Sequence, residues 1–185
     1  VDTNVAAASS ANPLEGLILD DTPLAYWNLN EASGSTADNQ GSIGSAVDGS
    51  IVGSASFGGA ALYTGGGASI EFNGGSDGLY IPDDILINAG GPYPERTVEL
   101  VFNADDVTTR QVLFEEGAGT NGLTIYLDGG NVYVTGEDDG DWVDANINAS
   151  VSTGTTYHVA FVFDVNTDSF TGYLDGVDIG SVTVK

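Results

Sequence analysis

"GLTIYLDGGNVYVTG", residues 122–136, is the stretch whose reading decides the fold class. Leu123, Ile125 and Leu127 recur at every second position, Asp128-Gly129-Gly130-Asn131 interrupts them, and Val132 and Val134 resume the alternation. A period of two marks a strand with one buried face. Asp-Gly between two such runs marks a tight hairpin, because these residues accept the left-handed backbone that the turn requires. The segment therefore predicts two antiparallel strands.

The same period extends in both directions. "TVELVF" (97–102) places Val98, Leu100 and Phe102 on one face, with Thr97 and Glu99 on the other. "TYHVAFVFD" (156–164) is almost continuously apolar, as a central strand covered on both faces should be. "DSFTGYLDGVDIGSVTV" (168–184) reads as a second hairpin turning at Asp175-Gly176, and "AYWNLN" (25–30) and "ASIEFN" (68–73) are shorter strand candidates. No segment keeps a helical period over ten residues; "DDILINAG" (83–90) is expected to form one short turn at most. Many short strands without helices predict an all-β protein, an antiparallel two-sheet β-sandwich.

Composition narrows the function. The 185 residues carry three basic side chains (Arg96, Arg110, Lys185) against 27 acidic ones, a net charge of −24. Phosphate recognition needs clustered Lys and Arg, so nucleic acid is excluded as a partner. No apolar run approaches the roughly 20 residues of a membrane span, so no membrane insertion is expected. The chain has no Cys, which removes disulfides, thiolate catalysis and Cys-based zinc together. It has no Met either and is read as processed or as part of a larger polypeptide. Such a surface suits a salty medium, where screening is strong, or partial neutralisation by bound cations.

The order of landmarks resembles a known family. "PLAYWNLNEASGSTADNQGS" (23–42) is similar to the opening of the laminin-G-like, or concanavalin A-like, jelly-roll domains. "SIEFNGGSDGLYIP" (69–82), the segment from Arg96 to Val134, and "GTTYHVAFVFD" with "FTGYLDGV" resemble their later strand pairs. The resemblance covers roughly residues 22–183. It implies a lead-in over 1–21 and a jelly roll over 22–185 that lacks the family's last strand or strands. It also implies that the Gly/Ser-rich stretch 38–59 is a long rim loop with a short strand near "AVDGSIVG" (46–53). The segment from Arg96 to Val134 resembles the version carried by large bacterial surface and adhesin proteins, which implies an extracellular or cell-surface location.

Several residues are candidates for chemistry. Asp38, Asn39 and Gly41, with Glu31, offer the hard oxygens that Ca2+ prefers, and they equally suit an Asx turn closing on its own backbone. "DVNTDSFTGYLD" (164–175) has Asp164, Asn166 and Asp168 at calcium-loop spacing, but it lacks the central Gly and final Glu and reads better as a hairpin turn. "GEDDGDW" (136–142) gathers Glu137, Asp139 and Asp141 beside Trp142. Jelly-roll glucanases use Glu-x-Asp-x-Glu, whereas here the third position is Asp in a Gly-rich loop. The four residues are therefore read as ligand-binding, and no enzyme activity is expected. His158, the single histidine, sits within a strand and is read as structural, and Glu115-Glu116 are expected to pair with Arg110. The expected function is recognition of a glycan or cell-surface ligand, assisted by calcium, within a large bacterial adhesin. The alternative is a structural subunit of an extracellular or viral assembly, its open sheet edge completed by a neighbouring subunit or domain.

Overall fold

The computed structural model describes residues 13–90, 93–118, 121–137 and 147–183. The chain forms two compact units, Val1–Ile87 and Asn88–Lys185.

The second unit is a β-sandwich. Its strands are β6 (Glu95–Asn103), β7 (Gln111–Ala118), β8 (Asn121–Asp128), β9 (Asn131–Glu137), β10 (Ile147–Ser150), β11 (Thr156–Asp164), β12 (Ser169–Leu174) and β13 (Val177–Thr183). They form two antiparallel four-stranded sheets, ordered β10-β9-β8-β7 and β13-β12-β11-β6. Alternate residues meet between the sheets, and Ile125, Leu127, Val132, Val134, Phe161 and Phe170 are wholly buried there. Phe161 stacks on Phe170 at 5.2 Å and lies 6.3 Å from Phe114 of the facing sheet. Both predicted hairpins are present. Gly129 and Gly130 have φ of 57° and 83°, and Asp175-Gly176 have 50° and 76°, the left-handed pairs that match strand twist.

One ion pair crosses between the sheets. Arg96 of β6 meets Glu116 of β7 at 3.3 Å, their side chains only 11% and 13% exposed, and the guanidinium also lies 4.4 Å over the Tyr93 ring. Burial pushes the Glu116 carboxyl up, and Arg96 pulls it part of the way back. Arg110 does not take the Glu115-Glu116 pairing expected of it; it reaches Asp128, across the β7–β8 pair.

The first unit holds the short elements: α1 (Pro13–Asp20), β1 (Thr36–Ala37), β2 (Gly49–Val52), β3 (Ser56–Gly59), β4 (Ser69–Glu71) and β5 (Gly78–Tyr80). One small sheet runs β1-β2-β5, and β3 pairs with β4. β2 is the short strand expected near 46–53. The helix α1, within the expected lead-in, has Pro at its first position and Glu15 in its first turn, both favourable at a helix start. At eight residues it is too short to establish a helical period in sequence. "AYWNLN" does not become a strand: Trp27 makes a single bridge to Asn39, and Leu29 turns to φ 55°, which ends any extension. "DDILINAG" gives one turn, with the Ile87 N–H donating to the Asp84 carbonyl at 3.0 Å.

The two sheets pack tightly over Gly172. A Cβ there would stand 2.6 Å from Val134 Cγ2 and 2.9 Å from Ile147 Cγ2. Gly172→Ala is therefore expected to destabilise by about 1–3 kcal/mol through overpacking, read from urea midpoints at unchanged slope. A loss below about 0.5 kcal/mol would mean that the sheets move apart freely at this point.

Candidate functional site: a tyrosine face on the second sheet

The alternation that buries Leu123, Ile125 and Leu127 turns Thr124, Tyr126 and Asp128 to the outer face of the sheet. In β9 it likewise turns Asn131, Tyr133 and Thr135 outward. The turn sets the register, and Tyr126 stands directly opposite Tyr133. Their rings are parallel to within 4° at 4.8 Å. Such cross-strand aromatic pairs stabilise a sheet while presenting a rigid apolar body.

Polar groups frame the stack. Arg110, just before β7, donates from Nη2 and Nε to Asp128 Oδ2 at 2.6 and 2.9 Å, and its guanidinium lies 5.3 Å over the Tyr126 ring. Burial pushes the Tyr126 phenol up, so it stays a neutral hydroxyl. Asn131 accepts from the Ser150 hydroxyl at 3.1 Å. On either side of the tyrosines the register places exposed Val112 of β7 opposite Tyr126 and exposed Asn148 of β10 opposite Tyr133. Both aromatic positions are legible in the sequence as outward residues at equal distances from the Asp128–Asn131 turn, the same alternation that marks Leu127 and Val132 as inward.

The acidic stretch expected to bind ligand begins at the end of β9. Glu137 closes β9 opposite Gly122. Asp139, Asp141 and Trp142 lie outside the described residues.

The four expected metal ligands are close in the first unit but differently engaged. Asn39 Oδ1 accepts from the N–H groups of Tyr26 (2.7 Å) and Gly41 (3.0 Å), while its Nδ2 donates to the Gly44 carbonyl at 2.9 Å. Both lone pairs of the amide oxygen are taken, so Asn39 clamps the rim loop as an Asx residue does. Gly41 approaches Leu24 and Ala25 so closely that a Cβ would fall 2.5 Å from the Leu24 carbonyl oxygen, and its own carbonyl accepts from the Gly44 N–H. Glu31 Oε1 accepts from the Asp38 N–H at 2.9 Å, whereas Oε2 is buried without a hydrogen-bond partner. Asp38 is exposed. Among the described residues no three acidic or histidine side chains gather as a metal cluster. Asp164, Asn166 and Asp168 form the β11–β12 hairpin, with Asp164 Oδ1 accepting from the Asn166 N–H at 2.7 Å.

His158 pairs with a carboxylate on the neighbouring strand. Its Nε2 lies 3.0 Å from Glu99 Oε2, and its backbone N–H donates to Asp175 Oδ1 at 2.9 Å. Hydrogen bonding to Glu99 raises the imidazole, with Asp175 adding to the effect, and the same bond lowers Glu99.

A two-sheet antiparallel sandwich with loops at its rims defines a class of domain that often binds carbohydrate or protein. The sequence profile of the concanavalin A-like lectin/glucanases superfamily, in its laminin-G type, matches residues 73–185, and the chain belongs to that superfamily. No curated protein matches it. Among solved structures it is similar to the mouse laminin alpha1 chain, domains LG4-5, at 17% identity and a TM-score of 0.44, over 54% of this chain and 26% of that one. The chain thus spans about a quarter of the laminin chain it matches. It is also similar to a protein of unknown function from Shewanella oneidensis MR-1, at 16% identity and a TM-score of 0.48, over 94% of this chain and 77% of that one.

The His158–Glu99 pair gives a signed pH dependence. A raised histidine contributes stability fully present below its ordinary value of about 6.5, and lost as pH rises through its folded value. A lowered glutamate contributes stability present above about 4.3, and lost as pH falls through its folded value. The difference in melting temperature between wild type and His158→Gln is therefore expected to be widest from about pH 4.5 to 6.5 and to close toward pH 9. A difference independent of pH over that range would show that the ion pair contributes nothing.

Proposed function

We propose that this chain is an extracellular recognition module that binds a glycan on the outer face of the β7–β10 sheet, without turning it over. The observation that carries this reading is the Tyr126–Tyr133 stack, held rigid by its cross-strand register and framed by Arg110–Asp128 and Asn131–Ser150. Sugar rings have apolar faces edged by hydroxyls, and a fixed aromatic body with a few placed polar groups is the matching surface. Superfamily membership supports binding as the role, although fold alone does not assign a ligand. Among the described residues no helix is long and apolar enough to cross a membrane. A place within a large surface adhesin belongs to the same proposal and rests on the sequence resemblance.

The test is direct binding to a panel of immobilised extracellular and cell-wall polysaccharides. Tyr133→Thr, which keeps a strand-forming residue, is expected to weaken the interaction by about tenfold or more, about 1.4 kcal/mol. Its melting temperature should stay within a few degrees of wild type. Retention of full affinity in both Tyr126→Thr and Tyr133→Thr would remove this face as the site, and release of smaller sugars from any bound polysaccharide would make the chain an enzyme.

Calcium at the rim of the first unit is part of the proposal. Its support is the buried, unpartnered Glu31 Oε2, with exposed Asp38 beside it, while Asn39 Oδ1 and the Gly41 carbonyl are engaged by backbone N–H groups. Bound there, the cation would supply countercharge to the carboxylates and stiffen the rim. At about a hundred times the dissociation constant such binding stabilises by about 2.7 kcal/mol. The melting temperature in millimolar calcium is therefore expected to exceed that in EDTA by several degrees at fixed ionic strength. Glu31→Gln should abolish the difference, and an unchanged melting temperature in wild type would exclude the site.

A further inference from the structure

The Tyr126–Tyr133 stack has a chemistry of its own, independent of any glycan. The chain contains neither Cys nor Met, the side chains that ordinarily take up oxidising equivalents. One-electron oxidation therefore falls on its phenols and indoles, eight Tyr and two Trp. Tyr126 and Tyr133 are both half-exposed, within reach of a small oxidant. A net charge of −24 draws a cationic oxidant to the surface and keeps a second copy of the chain away.

Two phenoxyl radicals couple at the ring carbons beside their oxygens, and the step is limited by how often two rings meet. Here the meeting is built in. The register sets the two tyrosines directly opposite, and their rings are parallel to within 4° at 4.8 Å. Parallel rings at that separation are offset, with the edge of one beside the face of the other. Cβ atoms of directly opposite residues stand about 4.5–5.5 Å apart, a span that two rings joined at the carbons beside their hydroxyls can bridge. The Arg110 guanidinium, 5.3 Å from the Tyr126 ring, does not react with such oxidants, so among the described residues Tyr133 is the ring an oxidised Tyr126 meets. A partner held in contact reacts at an effective concentration far above that of a second, like-charged chain.

We infer that Tyr126 and Tyr133 form an oxidative cross-linking site, at which a one-electron oxidant of the peroxidase or metal-complex class joins the two rings into a dityrosine that staples β8 to β9. Each phenol gives one electron to one equivalent of oxidant and its hydroxyl proton to water. The two radicals form one C–C bond between ring carbons, and the hydrogens on those carbons move to the two oxygens and restore both phenols. The product is lighter by two hydrogen atoms. In a chain without Cys this bond takes the part of a disulfide, closing the hairpin covalently.

The test irradiates the whole chain with tris(bipyridyl)ruthenium(II) and persulfate, which generate a small cationic one-electron oxidant. Dityrosine is read by its blue fluorescence and placed by digestion at aspartates, because cleavage at Asp128 separates Tyr126 from Tyr133 unless their rings are joined. The expected product has the size of a monomer, keeps the Tyr126 and Tyr133 peptides linked, and forms at least about fivefold faster in the folded chain than in urea. Tyr126→Phe and Tyr133→Phe keep the ring and its packing but form no phenoxyl radical at that position. Each should lose the product while melting within a few degrees of wild type. Absence of dityrosine, cross-links at other tyrosines, mainly intermolecular products or an equal rate in urea would each overturn the inference. Glycan binding is measured on the unoxidised chain, so either reading can fail without the other.

Discussion

Asp128-Gly129-Gly130-Asn131 is the constraint from which the rest of the second sheet follows. Because the two glycines adopt left-handed backbone, the loop closes in two residues and Asp128 must pair with Asn131. From that pairing every later partner is fixed: Leu127 with Val132, Tyr126 with Tyr133, Ile125 with Val134. A slip of one residue would turn one strand over, carrying two wholly buried aliphatic side chains to solvent and driving its tyrosine toward the core. Burial of a Leu, Ile or Val is worth about 1.5–3 kcal/mol, so the alternative register is excluded by several such terms at once. The aromatic stack is thus a geometric consequence of the turn and of the core opposite it.

The ion pair between the sheets is the exception to an otherwise apolar interior. Arg96 brings a cation into a chain with almost none, and Glu116 answers it from the facing sheet. Desolvation acts on the carboxylate strongly enough that its proton affinity rises despite the neighbouring charge. The Tyr93 ring beneath the guanidinium supplies a second favourable contact that needs no further desolvation. Pairs of this kind contribute little net stability compared with apolar residues of the same volume, yet they penalise any arrangement that separates them. The pair therefore favours one alignment of β6 against β7, which Val98 and Leu100 alone would leave less sharply defined.

The core of the sandwich was legible because period-two patterning is written in residue type, and type determines which face is buried. "TYHVAFVFD" and both Asp-Gly hairpins read correctly for that reason. Where the determinant was a backbone angle or a long-range hydrogen bond, the sequence was mute. Trp27 sits in an apolar-aromatic run, but Leu29 turns out of the extended region, and the indole N–H settles on the Val47 carbonyl at 2.9 Å, twenty residues away. Asn39 reads equally as cation ligand and as turn former, since the same amide oxygen serves either. Only the positions of the Tyr26 and Gly41 N–H groups decide between them. The partners of Arg110 were misread because proximity along the chain favoured Glu115 and Glu116, whereas the hairpin brings Asp128 across to it.

The acidity of the chain sets the two described arginines apart. A surface with excess negative charge everywhere would repel anionic ligands indiscriminately and would also disfavour its own compact state. Here the described arginines stand where a carboxylate must be tolerated, one between the sheets and one at the edge of the tyrosine face. At that edge Arg110 does two things at once. It cancels half of the negative charge that Asp128 and Glu115 bring to the face, and its guanidinium lies over Tyr126, so that this ring contacts both Arg110 and Tyr133. With Arg110 turned away, the same residues would form an acidic patch beside two less firmly held rings.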